Sequence, residues 1–600
     1  MKILYLLSFS ILFLTLIFLK KSDQKLNIIV SFIYTFCIMY FYDVLIAYVL
    51  SYINIKNTLL MFSTVYIFTS IILIYISYKK SKNIEKQKYY LDKKQLISLI
   101  TIITVALTIG ILKYDKFTEI DYVITDAALH YKMASEYEIK QSLFNKKIYD
   151  PIFGPDHNMF GYYVPCGILM KLMPFAKYIS YNIFNTSMLC LLMLCFYITC
   201  LEMKEKDKNN IITVIITLMY GLAYPLGYII LGFGYSGPGI LATNLILLTW
   251  KFILKEEKTA LYLILTLFNI GLFFSYYLFV PILFLAEALF IIFKFMKGKI
   301  SFKRLLKIGV TTLLIPTVIG YLYFLHKDNV TEIVETTTNS FSIEGTSYKN
   351  LWGNFVLLIP MIVYSFILQK KNKKTDVDSI FIVCETIYMI ISLYFTLKGY
   401  MSTYYYYKMY FIVWLISYIY IYKLVNCEEY KTKFRINIAF IIFIITISLF
   451  NVEKNMMEKN YRIMSSPIGP NLADVYVYNA NFFAPKGVIQ KKEANLIINS
   501  TKYTKKCQID PKTKILPFTG NFYEKLWYYA ITGNVPTIKY DKKTPNDAYI
   551  TPFSYQEFKE SEKVKCALLT NKYMKKIENF DLEDYEILYK DKTGILIKKK

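Results

Sequence analysis

Histidine and charged side chains are scarce in this sequence. The 600 residues include only three histidines, and no two cysteines form a Cys-x-x-Cys pair, so the ligand pattern of a structural zinc site is missing. Charged residues make up 19% of the chain, below the roughly 25% typical of soluble domains. The mean hydropathy is +0.36, and 55% of the residues are hydrophobic. This composition excludes an ordinary soluble protein and indicates an integral membrane protein.

Long uncharged runs account for the high hydropathy. A bilayer core is about 30 Å thick, and a helix needs about 20 apolar residues to cross it. About fourteen such runs predict an α-helical polytopic membrane protein, with either one long helix or two short ones between Ala260 and Met296. The runs lie near 3–19, 27–50, 58–78, 96–113, 181–201, 210–232, 239–254, 260–277, 280–296, 308–325, 351–368, 379–397, 405–424 and 437–452.

Lysines are distributed unevenly between the connections of these predicted spans. Connections on one side carry most of them, whereas 51–57, 233–238 and 398–404 on the other side are nearly free of lysine and arginine. By the positive-inside rule the lysine-rich side is cytoplasmic, and an even number of spans in the cell membrane places both chain termini outside. The formal net charge of +26 is thus a topology signal, and nucleic acid is not an expected partner.

Three long segments face outward in this topology: 114–180, 326–350 and everything after Asn451. The loop 326–350 fits either a cover over a site or a solvated connector. We therefore predict a polytopic transmembrane domain over 1–452 and an extracytoplasmic α/β domain over 453–600, referred to below as the tail.

Short apolar runs in the tail predict its strands. Lys512–Pro517 and Lys565–Thr570 have the pattern of short buried strands, and Tyr585–Lys600 alternates around an Asp-Lys-Thr-Gly turn, which predicts a terminal hairpin. Cys507 and Cys566 are the two cysteines of the tail, and an oxidising exterior permits a disulfide between them. Two separate buried thiols are the alternative.

The first outer loop concentrates acidic residues. Glu119, Asp121 and Asp126 precede His130, and Thr125 is placed to cap a helix that begins at Asp126. Asp126 and His130 are four residues apart, so both project from one face of that helix. An acid at a helix start just outside a membrane is suited to act as a general base or to bind a divalent ion. The alternative is an ordinary solvated loop with a capping pair.

A second group of residues lies at the outer end of a later predicted helix. Lys408 stands slightly inside the apolar run, where an unpaired cation is costly and a lipid phosphate is a suitable partner. Tyr404 to Tyr407 are suited to line a sugar or prenyl groove. The alternative is an interfacial aromatic belt with a lysine that reaches the headgroups, which needs no ligand.

Acidic residues also lie inside apolar runs. Asp43 stands in the second run and Glu287 in the ninth. Intramembrane acids are functional candidates by default. The sequence shows no partner for either residue, so neither receives a role.

The outer-loop pattern resembles the C-type (GT-C superfamily) polytopic membrane glycosyltransferases. The resemblance rests on the loop acids, the Asp-x-x-x-His helix and the Gly-Tyr-Tyr-Val-Pro-Cys-Gly-Ile-Leu-Met segment at 161–170. In that family a short acidic motif of the first large outer loop carries the catalytic acid, and a soluble domain often follows the last helix. This sequence departs from the family in having three extra helices before the usual first one and no adjacent Asp-Asp pair.

The resemblance implies transfer of a sugar from a polyprenyl-phosphate donor to a glycan, lipid or protein acceptor on the outer face, in cell-envelope polysaccharide or glycoconjugate assembly. It implies that Asp126, or else Asp121, is the base that deprotonates the acceptor hydroxyl. A cation is needed to stabilise the leaving phosphate, which makes a divalent cation a candidate cofactor. Substrate binding is assigned on this basis to Glu119, His130, Tyr407 and Lys408.

Two other functions fit a chain with this many spans. A lipid-linked oligosaccharide flippase or another transporter is the alternative to an enzyme, and it is expected to show related halves and broken helices near mid-membrane. The sequence shows no such duplication. A membrane scaffold without chemistry is the third candidate, since the tail alone would support it.

Overall fold

The structure is a computed structural model, and it describes the chain in segments. The described residues are 1–18, 26–80, 89–114, 116–117, 120–121, 125–143, 149–150, 154–155, 159–203, 210–223, 234–325, 358–359, 361–366, 377–398, 400, 409–425, 488–489, 496–500, 502–503, 514–518, 522–532, 554–562, 564–577 and 580–600. Of the predicted outer segments, 326–350 lies outside the described residues.

Helices dominate residues 1–425. Their bounds are α1 (Lys2–Phe18), α2 (Ile28–Tyr52), α3 (Leu59–Lys80), α4 (Lys93–Lys113), α5 (Thr125–Lys140), α6 (Phe160–Leu172), α7 (Lys177–Met203), α8 (Asn210–Ala223), α9 (Gly237–Lys255), α10 (Thr259–Tyr276), α11 (Val280–Met296), α12 (Phe302–Gly309), α13 (Ile315–Leu325), α14 (Val377–Leu397) and α15 (Tyr410–Val425). Two short strand pairs lie in the connections between these helices. Strand β1 (Leu26–Asn27) pairs with β2 (Tyr89–Tyr90), and β4 (Tyr149–Asp150) pairs with β5 (Gly154–Pro155).

Eight helical segments of the described chain are long and apolar enough to cross a bilayer. They are α2, α3, α4, α7, α9 with the 3-10 turn before it, α10 together with α11, α12 together with α13, and α14. Helices α1, α8 and α15 are apolar but shorter. The predicted multi-pass helical membrane protein is confirmed, and the total of about fourteen spans remains a prediction.

The segment between Ala260 and Met296 contains two helices. A 3-10 turn at Tyr277–Phe279 separates α10 from α11, and Pro281 stands in the first turn of α11. Helix α10 packs against α9 and α2, whereas α11 packs mainly against α14. At 1.5 Å per residue each helix is roughly 26 Å long, close to one bilayer core.

Helices α1 to α3 form a group around one buried acid. Asp43 of α2 accepts hydrogen bonds from the hydroxyls of Tyr5 in α1 and Tyr66 in α3, one on each carboxylate oxygen. A membrane carboxylate with both oxygens bonded is far less costly than a bare one. Asp43, for which the sequence showed no partner, therefore connects α1, α2 and α3.

The tail forms a four-stranded sheet in the order β7–β8–β10–β9. The strands are β7 (Lys514–Phe518), β8 (Val564–Thr570), β9 (Tyr585–Lys590) and β10 (Gly594–Lys599), with helices α16 (Phe522–Thr532), α17 (Tyr555–Glu560) and α18 (Asn571–Met574). Strand β8 runs parallel to β7 and antiparallel to β10. The predicted hairpin is present as β9 and β10.

Cys566 lies on the central strand β8 and is buried. Burial raises the pKa of its thiol to about 11, because the charged thiolate loses water. Cys507 lies outside the described residues, so the disulfide between the two remains a prediction.

Candidate functional site

The first outer loop carries two of the predicted acids on regular elements. Asp121 lies on a short strand, β3 (Ile120–Asp121), and Asp126 is the second residue of α5. The predicted helix is therefore present, and it places Asp126 one turn before His130. Three further predicted residues, Glu119, Tyr407 and Lys408, lie outside the described residues.

His130 is enclosed by aromatic side chains. Its ring is buried, and its Nδ1 lies 2.9 Å from the hydroxyl oxygen of Tyr163. The ring centre of Tyr235 lies 4.2 Å from that of His130, and Tyr162 approaches from a third side at 6.0 Å. The hydrogen bond and the contacts with the tyrosine rings together restrict the imidazole ring of His130 to one orientation.

Helix α6 supplies two of the three tyrosines of this enclosure, Tyr162 and Tyr163, and packs closely on its neighbours. A Cβ at Gly161 would lie 2.0 Å from Oγ of Ser275, and one at Gly167 would lie 2.6 Å from the Tyr137 ring. Glycine is therefore required at both positions for α6 to reach α10 and α5. The segment quoted for the family resemblance thus forms a packed helix inside the loop. With 13 residues, or about 20 Å, this helix is too short to cross the bilayer.

Pro165 interrupts the hydrogen bonding of α6. It has no N–H, so the carbonyl oxygen of Gly161 lacks its normal donor four residues later. The hydroxyl of Tyr40 on α2 donates to that oxygen at 2.6 Å. A side chain from a different helix therefore replaces the missing backbone bond.

Tyr162 connects the enclosure to two other segments. Its hydroxyl donates to Oδ1 of Asn185 on α7. A Cβ at Gly234 would lie 2.8 Å from the same Oδ1 and 3.1 Å from the tyrosine hydroxyl. The 3-10 turn Gly234–Ser236, which carries Tyr235, can approach only because residue 234 is glycine.

Ion pairs involve charged residues of α5. Glu136 pairs with Lys132 and Lys140, and Glu138 pairs with Lys177 at 2.7 Å. Burial alone would raise the pKa of the Glu136 carboxyl, but the two neighbouring ammonium groups hold it below its usual value. This carboxylate is thus engaged in fixing the helix and is a poor base.

The tail contacts the acid-bearing loop at two places. Strand β6 (Val488–Ile489) pairs antiparallel with β3, so Asp121 lies opposite Val488. Helix α16 packs on α5, where the buried Trp527 ring lies 5.4 Å from Tyr131. The ammonium of Lys132 lies 5.1 Å from the centre of the Tyr529 ring. Residues far apart in sequence therefore hold both ends of the segment that contains Asp121 and Asp126.

Several of these residues were missed by reasoning from sequence. Tyr162 and Tyr163 stand in the quoted segment next to the loop, which was the signal available for them. Tyr235, Asn185 and Trp527 come from distant segments, and neither spacing nor composition connects them to His130. The described residues contain no group of three or more His, Cys, Asp or Glu suited to hold a metal ion.

Comparisons with known proteins give structural similarities only. No family model and no curated protein matches the chain. The apo oligosaccharyltransferase of Archaeoglobus fulgidus is similar at 11% identity and TM-score 0.43, over 79% of this chain and 69% of that one. ArnT from Cupriavidus metallidurans, solved with undecaprenyl phosphate, is similar at 8% identity and TM-score 0.46, over 84% of this chain and 98% of that one.

Both matched proteins are C-type membrane glycosyltransferases, the group that the outer-loop pattern resembles. At TM-scores below 0.5, neither likeness carries a function over to this chain. A function for the chain has to rest on its own residues.

Proposed function

We propose that this protein is a membrane glycosyltransferase that moves a sugar from a polyprenyl-phosphate donor to an acceptor on the outer face of the membrane. The observation that carries the proposal is that the tail contacts the acid-bearing loop at two places. Strand β3 with Asp121 pairs with the tail strand β6, and helix α5, which begins next to Asp126, packs on the tail helix α16. An acid-bearing segment held from both sides fits catalysis better than a solvated loop does.

Asp126 is the proposed base. Sugar transfer to a hydroxyl requires removal of its proton as the new bond forms and stabilisation of the phosphate that leaves. Asp126 is placed at the first turn of α5, and Asp121 is the second candidate from the neighbouring strand. Stabilisation of the phosphate is assigned to Lys408 or to a divalent cation, and the sugar and the acceptor remain to be identified.

His130 receives a positioning role in this proposal. Its ring is buried among tyrosines, and its Nδ1 is occupied by Tyr163. The pair fixes α5 against α6, and with it the start of α5 where Asp126 lies. We therefore assign direct contact with donor and acceptor to the acids before His130, with Glu119 as a third contact.

The test uses membranes that contain the full chain and a panel of radiolabelled undecaprenyl-phosphate sugars. Release of undecaprenyl phosphate and transfer of label are measured together. Asp126→Asn keeps shape and hydrogen bonding but removes basicity, and loss of a general base costs about 10²–10⁴ in rate. Glu562→Gln, an exposed tail acid, is the control and should leave the rate unchanged.

Two outcomes would contradict parts of the proposal. Full activity in Asp126→Asn would move the role of base to Asp121 or Glu119. Full activity in Asp126→Asn, Asp121→Asn and Glu119→Gln alike would remove this loop as the catalytic one. No discharge of any donor by the unchanged protein would contradict sugar transfer from this class of lipid.

A further inference from the structure

Glu287 is a buried acid in the membrane part that sugar transfer at the outer loop leaves unexplained. It lies on α11 and is 1% exposed. Its Oε2 accepts a hydrogen bond from Nδ2 of Asn269 at 2.9 Å, while its Oε1 has no partner. An ionised carboxylate with one bare oxygen is costly in a buried position of the membrane part.

Asn269 on α10 also has a side-chain oxygen without a hydrogen-bond partner. Its Nδ2 uses both hydrogens, one toward Glu287 and one toward the carbonyl oxygen of Thr312 at 2.8 Å, which fixes the orientation of the amide. Its Oδ1 has no partner. Oδ1 of Asn269 and Oε1 of an ionised Glu287 are both acceptors, so the two side chains together lack one hydrogen.

We infer that Glu287 is a neutral carboxylic acid that donates its proton from Oε1 to Oδ1 of Asn269. The two side chains then form an acid–amide pair with two hydrogen bonds, N–H to Oε2 and O–H to Oδ1. The ligand of this intramembrane site is a proton. The proton satisfies both unpartnered oxygens and avoids a buried charge.

The surroundings of the acid–amide pair favour a neutral acid. No charged side chain in the described part of the chain acts on the Glu287 carboxyl group. The indole N–H of Trp250, a donor that would favour the ionised form, makes no hydrogen bond with it. Two lysines of the membrane part are already paired, since Asp378 on α14 binds Lys251 at 2.7 Å and Lys423 at 2.8 Å. A lone negative charge on Glu287 would have no cation to offset it.

The proton also affects the backbone nearby. Between α12 and α13 the chain makes a π turn, Val310–Leu314, in which Thr311 and Thr312 present carbonyl oxygens. Thr266 and Asn269 of α10 donate to these two oxygens. The acid–amide pair therefore ties α11 through Asn269 to the π turn, a feature frequent at functional sites. Without the proton, two buried oxygen acceptors next to this connection would both lack a donor.

Infrared spectroscopy of the purified full chain in lipid vesicles at neutral pH tests the proton directly. A neutral carboxylic acid has a C=O stretching band that a carboxylate lacks. We expect Glu287→Gln to remove part of that band. Asp378→Asn is the matched control and should leave the band intact, because Asp378 is paired with the ammonium groups of Lys251 and Lys423. Glu385→Gln and Asp43→Asn, recorded in the same series, separate the contributions of two further buried acids.

Thermal unfolding in detergent is the second measurement. The side chain introduced by Glu287→Gln has the shape of the neutral acid, and its amide N–H replaces the carboxyl proton toward Asn269. This variant should therefore keep the melting temperature. Glu287→Leu leaves the Asn269 oxygen and one of its N–H groups unpaired and should lower the melting temperature by several degrees.

Three results would overturn the inference. The first is an unchanged carboxylic band in Glu287→Gln. The second is a loss of stability in Glu287→Gln as large as in Glu287→Leu, because a required charge would explain it. The third is stabilisation of the unchanged protein, but not of Glu287→Gln, by sodium ions, which would assign the site to a metal cation.

Discussion

Tyr40 has a well-defined role at the scale of single residues. Its hydroxyl donates to the Gly161 oxygen that Pro165 leaves without a backbone partner. Tyr40→Phe removes one oxygen atom and leaves that buried carbonyl unsatisfied. The free energy of unfolding should fall by about 1–3 kcal/mol. The measurement is unfolding of the detergent-solubilised protein, with the exposed Tyr400→Phe as control. Equal stability of the two variants would show that the bond is dispensable.

The sequence predicts which residues lie close together only where both belong to one helix or strand. The four-residue spacing of Asp126 and His130 is enough to place them one turn apart on α5. The partners of His130 depend on which helices pack together, and Tyr235 reaches it from a turn about a hundred residues later. The partners of Asp43 were hidden for the same reason, since Tyr5 and Tyr66 belong to other helices.

At the scale of elements, helix α16 of the tail holds helix α5 of the loop. Trp527 is buried against Tyr131 and Tyr181, at ring distances of 5.4 Å and 6.4 Å. Trp527→Ala should weaken this packing by about 3–5 kcal/mol, the usual cost of deleting a large buried aromatic. Hydrogen exchange within Thr125–Lys140 should then become faster.

The control for this prediction is Trp527→Phe, which keeps an aromatic ring in the same place. Hydrogen exchange in α5 should be slower in Trp527→Phe than in Trp527→Ala, and close to that of the unchanged protein. Unchanged exchange in Trp527→Ala would mean that α5 is held by α6 alone. Under the proposed function, the rate of sugar transfer should fall together with the protection of α5.

Element boundaries were predictable where apolar runs are long. The runs at 27–50, 181–201 and 379–397 correspond to α2, α7 and α14 within a few residues. The helical packing of α6 was not foreseen, because its 13 residues are too few for a span and its glycines fit a loop equally well. Composition alone could not decide between one helix and two helices from Ala260 to Met296. The 3-10 turn at Tyr277–Phe279 in the structure separates the two helices.

At the scale of the whole molecule, the contacts between loop and tail restrict the topology. Strand β3 pairs with β6, and α5 packs on α16, so the first outer loop and the tail lie on one side of the membrane. The chain must cross an even number of times between them. About fourteen predicted spans, of which four precede this loop, leave about ten for that interval and satisfy the condition.

Which side this is follows from the lysine distribution and is open to test. We expect loop and tail to lie outside, so protease added to intact spheroplasts should remove the tail. A cytoplasmic protein of the same cells serves as the control for membrane integrity. Protection of the tail until the membrane is opened would reverse the orientation and would place the proposed site on the cytoplasmic side.

The packing of α16 on α5 has a consequence for biosynthesis. Ribosomes add about 5–20 residues per second, so the roughly 380 residues between the end of α5 and the start of α16 take about 20–80 s to make. During this interval the nascent chain has inserted its early helices while α5 still lacks one of its two main packing partners. The enzyme that we propose would thus be silent while it is being inserted, and its activity would begin only after the tail has been exported and folded.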